Sequence, residues 1–171
     1  MISPQAISGV SAGIENNVMT VYPSNACTDL GCLMGRCLNS IPLKINGIKV
    51  SNLLFALPLI PLALLMYAWL KLIGPRYVLT NRSVQIRSVI GDRQLGEAAL
   101  PAVDHIDVDQ RDGQEFYRAA DLVLYDADET ELLRLEGVPQ AEIFRNTILE
   151  ARDAHAQTEQ ALATIAARES A

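Results

Sequence analysis

Gly9-Val10-Ser11-Ala12-Gly13 has the GxSxG spacing in which a sharp strand-to-helix turn lifts a serine hydroxyl towards a histidine base. That chemistry needs a strand before the turn, a helix after it, and an imidazole oriented by a carboxylate. None of these is legible around Ser11, and the histidines are His105, in a strand pattern, and His155, in a polar helical tail. Both read as surface or edge residues. Asp107, Asp109 and Asp112 resemble the start of a calcium loop, but Arg111 takes a ligand position and Asp112 stands where the turn glycine belongs. Asp126, Asp128 and Thr130 fail in the same way, with Glu131 replacing the glycine. Solvated turn carboxylates are the better account of both runs. Cys27, Cys32 and Cys37 recur at five-residue intervals, which is neither CxxC spacing nor an even set for disulfides, so they read as small buried thiols. With no P-loop, GxGxxG or HExxH, the sequence predicts no catalytic residue, no metal and no cofactor, and a hydrolase using Ser11 is the enzyme alternative.

The elements around these residues are more informative. From Leu53 to Leu70 the chain carries no charge, and those eighteen residues reach about 27 Å as a helix, against a bilayer core of ~30 Å. Tyr67 and Trp69 are the aromatic types that favour a membrane interface, and Lys71 closes the run. A membrane segment is therefore expected over residues 52–73. Pro58 and Pro61 each remove a backbone donor, so the segment is either a kinked span or a re-entrant wedge turning at Leu57 to Leu62. About fifty residues precede it, too many for a signal peptide.

Charge divides at the same place. Residues 1–73 carry four basic against two acidic side chains, or +2, whereas the remainder carries 10 Arg against 18 Asp and Glu, or -8. An acidic domain repels nucleic-acid phosphates, so that class of partner is excluded. The basic residues flanking the apolar run slightly favour a cytoplasmic C-terminal domain.

Residues 1–22 are weakly patterned and read as a flexible leader. Over 23–51 the chain suggests an amphipathic helix capped by Ser24, in which Gly31 and Gly35 form a small-xxx-small pair, and then a hairpin about Asn46-Gly47. The hairpin register sets Ile45 opposite Ile48, Lys44 opposite Lys49 and Leu43 opposite Val50. Lipid headgroups could offset the Lys pair, so Lys44, Lys49, Lys71 and Arg76 are candidate headgroup contacts. Residues 74–155 alternate as six or seven short antiparallel strands, with turns at Asn81-Arg82, Gly91-Asp92 and 126–130 and a strand suggested over Glu115 to Arg118. Gly137-Val138-Pro139 ends the last strand, Phe144, Ile148 and Ala151 begin a helical stripe, and 156–171 is a solvated helical tail. The class is α+β.

The order of three segments resembles a bacterial pleckstrin-homology-like (PH-like) domain of the membrane-associated kind, from about Lys71 to Asp153. They are Arg76-Tyr77-Val78-Leu79-Thr80-Asn81-Arg82 after the apolar run, Glu97 to Val108 in the middle, and Leu135-Glu136-Gly137-Val138-Pro139 before the final helix. The resemblance implies two orthogonal sheets forming a partly closed barrel, with Phe144 and Ile148 plugging one end. It also implies a non-catalytic scaffold or assembly module at the cytoplasmic face of a bacterial inner membrane. Its partners would be the lipid bilayer and an unknown protein or further copies of itself; a module that binds or handles lipid headgroups is the alternative. The basic first hairpin loop of phosphoinositide-binding relatives is missing here, where Thr80-Asn81-Arg82-Ser83 carries one Arg.

Overall fold

The computed structural model describes residues 15–41, 44–45 and 48–169. Strand β1 (Asn17–Val21) is followed by a single 3₁₀ turn and helix α1 (Asp29–Asn39), then by the short strands β2 (Lys44–Ile45) and β3 (Ile48–Lys49). Helix α2 (Val50–Ile73) leads directly into β4 (Pro75–Thr80), β5 (Ser83–Ser88) and β6 (Gln94–Ala99). β7 (His105–Asp109), β8 (Ala119–Tyr125) and β9 (Glu131–Pro139) follow, and helix α3 (Ala141–Glu169) ends the chain.

Seven of the strands build two antiparallel sheets, ordered β1-β4-β5-β6 and β7-β8-β9. Period-two alternation explains which side chains meet. Tyr77 and Leu79 of β4 turn into a core shared with Ala120, Leu122 and Leu124 of β8. Ala141, Phe144 and Ile148 recur at three- and four-residue intervals along α3 and complete that core from one end. Phe144 and Ile148, the expected plug residues, are buried.

Several expectations are corrected. The sheets are not closed into a barrel: among the described residues no strand pair joins them, and Gly96 of β6 meets β9 through the Leu133 side chain instead of a backbone ladder. Residues 17–21, read as part of the leader, form β1, because pairing Thr20 with Val78 and Val21 with Tyr77 supplies the backbone partners that a five-residue strand lacks alone. Ser24 caps the 3₁₀ turn, whereas Thr28 caps α1 by accepting the Gly31 N–H at 3.1 Å. Glu115 to Tyr117 is a 3₁₀ turn ended by Arg118 at φ 51, not a strand.

The Lys44–Lys49 and Ile45–Ile48 pairs match the expected register, but Val50 begins α2 instead of pairing; the Asn46-Gly47 turn and Leu43 lie outside the described residues. α2 runs through Pro58 and Pro61 as one helix of 24 residues, about 36 Å at 1.5 Å per residue, so the alternative turn at Leu57 to Leu62 is not formed. The expected transmembrane helix over 52–73 is not found as such. Among the described residues no helix is long and apolar enough to cross a membrane.

Candidate functional site

A helix on the surface of a water-soluble domain buries one apolar stripe and wets the other. α2 departs from that rule. Its exposed residues include Leu57 at 86%, Leu65 at 71% and Trp69 at 63%, with Leu54, Ile60, Leu64 and Leu72 also exposed. Pro58 and Pro61 are exposed as well, and Leu53 lies at a position whose side chain is not described. Near the C-terminal end Lys71 Nζ donates to Tyr67 Oη at 3.1 Å and lies 5.4 Å from the Tyr67 ring centroid. The Tyr22 ring is 6.0 Å from the same ammonium. This collar places Tyr67, Trp69 and Lys71 within one helical turn.

The other side of α2 is held by α1, which runs antiparallel to it. Ser51 Oγ donates to the Leu38 carbonyl at 2.6 Å near one end, and Asn25 Nδ2 donates to the Ala63 carbonyl at 3.0 Å near the other. α1 is fastened in turn to the domain along glycines. A side chain at Gly35 would strike the Gly113 backbone, and one at Gly137 would strike Cys27. Ser24 donates from its backbone N–H and its hydroxyl to the Gly137 carbonyl at 2.9 and 3.1 Å. The small-xxx-small pair therefore has a packing role, against the domain through Gly35.

Beneath that seam lies a carboxylate the sequence reading did not single out. Asp121, fully buried, accepts from the Gln114 amide at 2.7 Å and the Gly137 N–H at 2.8 Å, and its Oδ2 is 2.9 Å from Arg111 Nε and 3.6 Å from Arg134 Nη1. Gln114 also donates to the Ala26 carbonyl at 3.2 Å, which carries the network into the segment leading to α1. Alternation gave no signal for Asp121, since Ala120 and Leu122 face the core and the residue between them is expected on the solvent face. The arrangement is a structural clamp: among the described residues no histidine, cysteine or serine side chain is hydrogen-bonded to Asp121.

The remaining candidates are dispersed. Arg76 is engaged with Asp92 at 2.6 Å, and Arg87 with the same carboxylate at 3.2 Å. The Arg76 hydrogen bond holds Asp92 below the usual carboxylate range. Lys44 is the backbone partner of Lys49 in the short ladder. His105 stacks on Tyr125, and His155 lies 3.9 Å from Glu159. Asp109 pairs with Arg134 and Asp112 with Arg36, while Asp126 accepts from the N–H groups of Asp128 and Thr130 to close a turn. Among the described residues no group of three or more potential metal ligands occurs. Ser11 lies outside them. Burial, with Glu136 nearby, pushes the Cys27 thiol up to about 11, and the three cysteines are free. A cavity of about 470 Å³ lies between β7, β8 and the start of α3, lined by Val108, Ala119, Ala120 and Ala141, with exposed Glu115, Arg118 and Glu142 around it. Among the described residues no serine, cysteine or histidine lines it.

Two antiparallel sheets with a C-terminal helix completing the core define a PH-like α+β domain. The sequence model of the bacterial PH domain family matches residues 32–152, and the chain belongs to that family. No curated protein and no solved structure matches. At the level of the family, such a domain is a non-catalytic module.

Proposed function

We propose that this chain is a membrane-held, non-catalytic PH-like module: α2 enters the bilayer, and the two-sheet domain binds a protein or further copies of the same chain at the cytoplasmic face. The observation that carries this is the exposed apolar surface of α2. Removing one large aliphatic side chain from water is worth about 1.5–3 kcal/mol, so Leu57, Ile60, Leu64, Leu65 and Leu72 together offer on the order of 10 kcal/mol to a medium that takes them in. A bilayer accepts a helix whose backbone groups are bonded within the segment, and Pro58 and Pro61 are tolerated there when neighbouring groups re-satisfy the carbonyls they free. The Tyr67–Trp69–Lys71 collar suits the interfacial layer at its C-terminal end.

The choice of a protein partner over a lipid ligand rests on charge and on an edge. The part from Gly74 onwards carries -8, which disfavours anionic headgroups. β1 is an outer strand of its sheet and exposes Val18 and Met19, and an unpaired edge accepts a further strand.

The test has two arms. Leu57→Lys, Leu64→Lys and Leu65→Lys combined move the protein from the membrane fraction to the soluble one, whereas retention with the membranes contradicts the α2 reading. Cross-linking of the native chain before detergent extraction recovers a homo-oligomer or a defined protein complex; recovery of the monomer alone contradicts the interaction reading.

A further inference from the structure

The β5–β6 connection, residues 89–93, is a tight turn with an exposed aliphatic at one corner. Gly91 at φ 74 and Asp92 at φ 48 both occupy the left-handed region that a type I′ hairpin turn requires. Ser88 N–H donates to the Arg93 carbonyl at 2.8 Å and closes it. Ile90 is 61% exposed, and Leu95, two residues past the turn, is exposed to a similar degree.

Strand register decides where this turn points. Pro75, the first residue of β4, lies opposite Ser88, the last of β5, so the residues after Ser88 extend beyond β4 towards the final turn of α2. The Val89 N–H donates to the Gly74 carbonyl at 3.1 Å and fixes that placement. Ile90 therefore lies at the end of the sheet where α2 joins β4.

Charge at the tip has the sign that anionic headgroups attract. Arg76, Arg87 and Arg93 lie nearest Asp92, while Glu15 and Glu97 sit further along the same sheet, so the positive charge is confined to the tip. Asp92 is occupied by Arg76 and Arg87, and Arg93 is exposed with no ion pair among the described residues.

We propose that the β5–β6 turn is a second membrane contact, with Ile90 entering the interfacial layer beside α2 and Arg93 lying against the phosphates of anionic lipids. Two contacts, α2 and this turn, then fix the tilt of the domain on the bilayer. The inference rests on α2 entering the membrane.

Trp69 is the chain's single tryptophan, which makes the test internally controlled. The full chain is reconstituted into phosphatidylcholine/phosphatidylglycerol vesicles containing lipid brominated near the headgroup, as wild type and as the Trp69→Phe, Ile90→Trp variant. The indole introduced at the turn is expected to be quenched at least half as strongly as Trp69 in the wild type. Quenching of Trp69 without quenching at the turn overturns this inference and leaves the α2 reading standing. Absence of quenching at both sites overturns both. Should the variant fail to fold, photolabelling of the unsubstituted chain by a lipid-borne diazirine reads the same question. Label on residues 89–93 as well as on α2 supports the second contact, and label on α2 alone overturns it.

Discussion

Removing the Asp121 carboxylate takes one anion from a site where two guanidinium groups, an amide and a backbone N–H converge. Breaking a buried pair on one side costs more than the pair contributes, because the remaining groups stay desolvated. Asp121→Ala is expected to lose about 3 kcal/mol in a denaturant titration of the detergent-solubilised protein. Exposed Asp107→Ala is expected to stay within about 0.5 kcal/mol of wild type; equal effects would show that the clamp carries no special weight. Cys27 and Tyr77 act at the alkaline end. Burial raises both, Cys27 from 9.0 to about 11, so the fold favours their protonated forms. Their contribution is whole below the unfolded thiol value and is lost as pH rises through about 11 for Cys27, and higher still for Tyr77, whose hydroxyl donates to the Glu136 carbonyl at 2.8 Å. Alkylation of Cys27 by iodoacetamide, followed by peptide mass spectrometry, should still be accelerating at pH 10; a plateau near pH 9 would contradict this. Asp121 was not legible as a constrained group from the sequence, because its partners come from separate elements; burial of Cys27 was expected, whereas Glu136 beside it was not.

At the scale of elements, the critical contact is α1 on the domain. Gly35 sits where any side chain would strike the Gly113 backbone, and Gly113, at φ 94, sits where one would strike Cys32. Gly35→Val is expected to lift α1 away and make buried Cys32 reactive towards a thiol reagent, while the two sheets keep their amide-exchange protection. Unchanged Cys32 protection would show that the seam tolerates a side chain. The glycine spacing was legible; its partner was not, since Gly113 is remote in sequence. The strands from 75 onwards were legible because alternation and Gly/Asn/Asp turn signals are local properties. β1 was not, since Asn17 to Val21 is too short to show a pattern of its own and becomes a strand only when β4 supplies its hydrogen bonds. The 3₁₀ turn at Glu115 misled for a related reason: the Gln114 amide bonds to Asp121 and Ala26, a tertiary constraint that outweighs the local preference of Phe116 and Tyr117 for a strand.

At the scale of the molecule, an acidic two-sheet domain is joined to an apolar helix with little polarity of its own. The helix was the most legible feature of the chain, because hydropathy depends on composition alone; the packing of α1 between it and the segment 113–117 was not, because glycine contacts leave no hydrophobic signature. Salt distinguishes what holds the protein in place. Electrostatic attachment through Lys71, Arg76 or Arg93 weakens as ionic strength shortens the Debye length, to about 3 Å at 1 M, whereas burial of aliphatic side chains in lipid does not.

Flotation of the native full-length chain with liposomes through a sucrose gradient, at 1 M salt and without detergent, tests the central claim most directly. The protein should rise with the lipid and leave it only when detergent is added. Recovery at the bottom of the gradient as a monodisperse, water-soluble particle would contradict the account.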